Sequence, residues 1–262
     1  MRALYTASTG MAAQELNVQV ISNNIANLRT TGFKKQNVSF QDLIYEHVRR
    51  VGAQASDQGT ILPVGVDVGG GVKTVGTPRL MTQGTLTMTG NDLDLAIRGD
   101  GFFKIQMPDG TFAYTRDGSF QMDAQGRIVN AQGNPVQPTI SIPSAASGIS
   151  INTHGQVSVL LPGSSTPSTI GQIGLTRFIN KAGLQPNGDN GFTETPASGP
   201  PQDGIANADG FGDLQQKNLE QANVESVTEI SDLIAAQRAY EMNAKVMSAA
   251  DQMMQSTAAL FR

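Results

Sequence analysis

The sequence predicts an α+β chain: a discontinuous, coiled-coil-like α-helical domain made from the two ends, with an all-β domain inserted between them. Three observations carry this prediction. Apolar residues recur every seven positions over 3–28 and again from about 227 to the C-terminus. Between these stretches the period drops to two and turn signals crowd together. The 29 Gly and 12 Pro in 262 residues exceed what a purely helical bundle tolerates.

The first element is a helix over 3–28. Leu4, Met11, Val18 and Ile25 form one row, with Ala7, Gln14, Ile21 and Leu28 beside it. Leu16 and Val20 lie off this seam, one turn apart, as a second apolar patch expected to remain in water unless another surface covers it. Gly32 follows where a helix-ending turn needs a positive φ. Residues 33–80 then read as an extended connector. Its glycine-rich part from 46 onward carries Val66, Val68, Val72 and Val75, and a connector of that length is expected to make contacts.

Residues 81–213 are the inserted β domain with its return linker. Leu93–Ile97, Phe102–Met107, Thr111–Thr115 and Gln156–Leu161 alternate as short strands. Gly99-Asp100-Gly101, Pro108-Asp109-Gly110, Asp117-Gly118 and Gly133-Asn134-Pro135 supply turns. A stretch rich in Gly, Pro and Asp at 196–213 leads to the last helix, which Ser226-Val227-Thr228-Glu229 opens with capping-box spacing. Leu233, Tyr240, Met247, Met254 and Phe261 mark one row of that helix, and Val246, Met253 and Leu260 a second.

Neither terminal helix has a local partner, so residues 1–32 are expected to pair with 214–262 as one domain. Paired, they still leave Leu16, Val20 and part of the 246–260 face exposed, and stripes of that length call for other subunits. Leu4, Met11, Val18, Ile25, Leu233, Tyr240, Met247, Met254 and Phe261 are therefore the candidate subunit interface.

Composition narrows the function. Charged residues are 15%, while 22 Gln and 16 Asn fill the polar share, and the net charge of −4 argues against non-specific nucleic-acid binding. Residues 1–50 carry a net +3 against −7 for the remainder, a pattern suited to association between copies. Cysteine is absent, which excludes thiolate chemistry and disulfides. No stretch approaches the roughly 20 apolar residues of a membrane span, and the N-terminus lacks a signal-peptide core.

No catalytic, cofactor or metal constellation assembles. His47 and His154 lie in different segments. Asp92 and Asp94 share a strand face but read as solvated, and Gly69-Gly70-Gly71 lacks the Lys-Ser/Thr ending of a phosphate loop. Asp189-Asn190-Gly191 lacks the spaced ligands of a calcium loop. Arg98-Gly99-Asp100 spells an adhesion tripeptide without further support. The chain is not expected to be an enzyme.

Two motifs at opposite ends carry a resemblance. Asn23-Asn24-Ile25-Ala26-Asn27-Leu28-Arg29-Thr30-Thr31-Gly32-Phe33-Lys34 resembles the N-terminal signature of bacterial flagellar rod and hook proteins. Leu233 to Lys245 resembles their C-terminal signature. The residues matching the motifs are Asn24, Ala26, Asn27, Thr30, Gly32, Phe33 and Lys34, then Gln237, Arg238, Tyr240, Glu241 and Asn243. Arg98–Phe103 and Tyr114–Phe120 are similar to the β domain of the longer rod proteins, and Ala3–Met11 and Leu62-Pro63-Val64-Gly65 to the distal rod group.

The resemblance implies a structural, axial protein of the flagellar basal body that polymerises helically into a hollow drive shaft transmitting torque to the hook. It implies export through the flagellar type III apparatus without a cleavable signal, and a rod spanning the periplasm. The implied partners are copies of itself, proximal rod proteins, the hook protein or hook–rod junction, and the L-ring and P-ring proteins as a bushing, with no cofactor, no nucleic acid and no embedding in membrane. Two alternatives stay open: a proximal rod protein of similar length, and a secreted β-domain adhesin. The adhesin reading needs an exposed aromatic platform, yet Trp is absent and aromatics are 5%.

Overall fold

The computed structural model describes residues 2–51, 64–163, 166–208 and 210–260. Helix α1 spans Arg2–Ala26 and helix α2 spans Ser226–Leu260, with all the strands between them. The chain is thus α+β. Its contacts divide it into two compact units, one of Met1–Ile25, Gln36–Pro78 and Glu225–Arg262, the other of Ala26–Lys35 and Arg79–Val224.

In the helical unit, α1 and α2 run antiparallel and meet at two points. A Cβ on Gly10 would lie 2.8 Å from Asn243 Nδ2, so glycine is what admits the Asn243 amide there. Asn24 Nδ2 donates to Glu229 Oε2 at 3.1 Å. The two points lie fourteen residues apart on both helices, which is two heptads.

The stretch expected to be an extended connector is, over its described part, a two-stranded antiparallel ribbon. Ser39–Asp42 pairs with Val72–Gly76, and Tyr45–Arg49 with Val66–Gly69. The ribbon follows α1 back toward its start. Gln36 bonds to Asn24, the Val72 N–H donates to Thr9 Oγ1 at 3.4 Å, and Arg2 pairs with Glu46 at 2.6 Å. Every residue of Tyr45–Arg49 and Val66–Gly69 is exposed. Leu62 and Pro63 lie outside the described residues.

The β unit contains the four strands expected there, as Leu95–Arg98, Phe103–Gln106, Phe112–Thr115 and Gln156–Leu160. A five-stranded antiparallel sheet runs in the order 136–137, 103–106, 112–115, 191–193, 185–188, and a three-stranded sheet joins 148–151, 156–160 and 168–172. Alternation sets the core: in Gln156–Leu160 only Val157 and Val159 are buried, where they join Leu95, Ile97, Phe103, Ile173 and Leu214. Phe102, Tyr114, Phe178 and Phe192 form a second cluster with edge-to-face rings, Tyr114 and Phe178 at 4.7 Å. The unit is closed where the chain enters and leaves it, because Leu86–Met88 pairs with Asn218–Glu220 and Leu95–Arg98 with Asp213–Gln216.

Candidate assembly surface

The inward face of α2 consists of two heptad rows. Glu229, Ala236 and Ala250 are buried, and Asn243 is half-buried in the same row. Of the interface candidates on the adjacent row, Leu233 and Met247 are half-buried, while Tyr240 and Met254 are 42% and 38% exposed. Phe261 lies outside the described residues. On the adjoining flank of α2, Ala235, Ala239, Met242, Val246, Ala249 and Met253 alternate four and three residues apart. Met242, Val246 and Met253 are 60%, 50% and 62% exposed, which leaves an apolar heptad stripe in solvent.

On α1 the candidates Leu4, Met11, Val18 and Ile25 are half-buried, and the deeply buried residues are Ala7, Ala13, Val20, Ile21 and Asn24. Val20, expected in water, is covered, and Leu16 is half-buried. The reason is which row faces α2. Following apolar residues alone centres the face on Leu4 and Met11. The contacts place Gly10 and Asn24 against α2, small or polar positions that an apolar count passes over.

The motif residues divide in the same way. Asn24, Gly32, Phe33 and Lys34 are buried, Asn27 and Thr30 are partly covered, and Ala26 is exposed. Gln237, Arg238, Tyr240 and Glu241 are exposed on α2. Gly32 has the positive φ expected of it, +67°. An added Cβ would meet Asp117 N at 2.6 Å and Arg116 C at 2.7 Å.

Beside Gly32 the β unit holds a buried charge cluster that sequence reasoning did not find. Lys34 Nζ donates to Glu220 Oε1 at 2.6 Å and to the Thr82 carbonyl at 2.8 Å. The Gly84 N–H also donates to Oε1, at 2.9 Å. Arg116 Nη1 reaches Glu220 Oε2 at 3.3 Å, and Nη2 donates to the Gly99 carbonyl at 2.6 Å. Burial pushes the Lys34 ammonium and the Arg116 guanidinium below their ordinary values, and the Glu220 carboxylate opposes this in both. The available signal was weak: Lys34 and Arg116 each sit in a quoted motif, but Glu220 lies in neither.

The other sequence candidates are occupied locally. His47 pairs with Asp67 at 2.6 Å on the exposed ribbon. Asp94 is buried rather than solvated and accepts from Thr89 Oγ1, because its backbone is held in the fold by a bridge to Ser119 and by the Lys217 N–H; Asp92 pairs with Lys217. Both charges of Arg98-Gly99-Asp100 are taken up, by Asp213 and Lys181. No helix among the described residues is long and apolar enough to cross a membrane.

Family models match three stretches of the chain: the flagella basal body rod protein over residues 4–34, the flagellar hook protein FlgE/F/G D1 domain over 96–159, and the flagellar basal body rod FlgEFG protein C-terminal region over 215–260. The chain is 53% identical to the flagellar basal-body rod protein FlgG of Caulobacter vibrioides, over 99% of each chain. It is 46% identical to FlgG of Borreliella burgdorferi, over 97% of this chain and 96% of the relative. The flagellar basal-body rod protein FlgF of the same Caulobacter is 34% identical, over 94% and 91%. Within one bacterium the FlgG protein is thus the nearer of the two rod proteins, and the chain belongs to the FlgG family of flagellar basal-body rod proteins.

Proposed function

We propose that this chain is the structural subunit of the distal rod, polymerising helically into a hollow shaft that carries torque from motor to hook. The observation that carries the reading is the exposed heptad stripe of α2, in a chain that matches FlgG over nearly its whole length. On this reading α1 and α2 pair in a coiled-coil-like domain, and the β unit is the domain inserted between them. The interface draws on Leu4, Met11, Val18, Ile25, Leu233, Tyr240, Met247, Met254 and Phe261. The matched motif residues order the helix ends, and the role is structural rather than catalytic.

Stiffness then arises from many repeated apolar seams rather than from any single bond. Each seam removes apolar area from water at about 25 cal/mol per Å². The partners on this reading are further copies of the chain, proximal rod proteins, the hook or hook–rod junction, and the L-ring and P-ring proteins. Export by the type III apparatus and residence in the periplasm complete it. Electron microscopy of the purified chain at rising concentration is the test: tubes are expected, and persistent monomers at every concentration would overturn the proposal.

A further inference from the structure

Asn24 is buried on the inward face of α1, and every polar atom of its side chain is used. Oδ1 accepts the Gln36 N–H at 3.0 Å, while Nδ2 donates to the Gln36 carbonyl at 2.9 Å and to Glu229 Oε2 at 3.1 Å. The amide thus pairs with one residue of the ribbon as a backbone would, and offers its remaining hydrogen to α2. Glu229 is buried as well, at the first turn of α2. A carboxylate only accepts, so the amide has one orientation that satisfies both neighbours.

We infer that Asn24 and Glu229 form a register lock that determines which residues of α2 face α1. The second contact of the seam, the Asn243 amide against Gly10, selects register less strongly, because the space beside a glycine also takes other small side chains. A slide of one heptad sets Gly10 opposite Ala250 and Asn17 opposite Asn243, a small residue on glycine and an amide against an amide, neither of which leaves a charge unmatched. Such a slide would strand Asn24 opposite residue 236, an alanine, and bury the Glu229 carboxylate without its amide. One buried polar residue in an otherwise permissive seam is how paired helices specify register, at some expense in stability. The lock also fixes how far along α1 the stripe at Met242, Val246 and Met253 sits. It rests on contacts within one chain and holds whether or not the chain builds a rod.

The chain has no cysteine, so engineered pairs report register without background. In the full-length protein, Asn17→Cys with Ala236→Cys tests the observed register, and Asn17→Cys with Asn243→Cys tests a slip of one heptad. The wild-type background should cross-link only the first pair, and Glu229→Gln, which keeps an acceptor for Asn24, should behave identically. Asn24→Leu with Glu229→Leu replaces both polar partners by apolar ones and should cross-link both pairs at similar yield. Cross-linking of the first pair alone in the Leu/Leu protein would overturn the inference. So would the loss of both cross-links, which would make the pair an anchor rather than a selector.

Discussion

Lys34 and Glu220, 186 residues apart in sequence, meet at 2.6 Å with both side chains fully buried. The pair ties the segment leaving the first helix to the strand that precedes the second, inside the β unit, with Arg116 on the second carboxylate oxygen. Two cations share one anion, so the cluster depends on Glu220. Glu220→Ala leaves both cations buried without their acceptor and should cost about 3–5 kcal/mol. Urea denaturation of the full chain should show this as a lower midpoint with an unchanged slope.

Lys34 also predicts a pH dependence. Burial holds its ammonium below the ordinary value of 10.5, against the pull of Glu220. Between the depressed folded value and the unfolded one, the unfolded chain binds more protons, so this residue's contribution to stability rises with pH across that window. Comparison with Lys34→Met isolates it. The stability difference should move in favour of the wild type as pH climbs toward 10.5, and a flat difference would mean that Glu220 offsets the desolvation cost in full.

Gly32→Val should act on the β unit, and not only on the helix end. A left-handed φ costs a non-glycine residue roughly 1–2 kcal/mol. Here the added Cβ also meets backbone at Asp117 and Arg116, which cannot rotate away as a side chain can. A fall in the melting temperature of the isolated chain is expected, and an unchanged one would mean that the turn relaxes freely.

What was legible in the sequence follows from the range of the interactions involved. The helices, the four strands at 95–160 and the turn at Gly32 depend on local periodicity and backbone preference, which neighbouring residues carry. The ribbon was less readable, because Tyr45–Arg49 and Val66–Gly69 are exposed throughout and present no face to a core. The charge cluster was not readable, since nothing near Glu220 in sequence says that Lys34 will lie against it. The inward face of α1 was misjudged for a related reason: a glycine and an asparagine mark the closest approach, and both look like surface residues until their partners are known.

The assembly reading is tested by placing the same charge on two faces of one helix. Met253 is 62% exposed, so in a lone chain Met253→Asp exchanges one solvated side chain for another and should move stability by no more than about 0.5 kcal/mol. Met247 is half-buried on the inward face, and Met247→Asp should lower the melting temperature of the dilute chain. If the outward stripe is covered by other copies in a rod, Met253→Asp buries an unpaired carboxylate there at several kcal/mol per subunit. Repeated along a polymer, that is enough to abolish it. The expected pattern is therefore a Met253→Asp protein that melts normally and forms no tubes. A protein that melts normally and assembles at the wild-type concentration would take the outward face of α2 out of the mechanism.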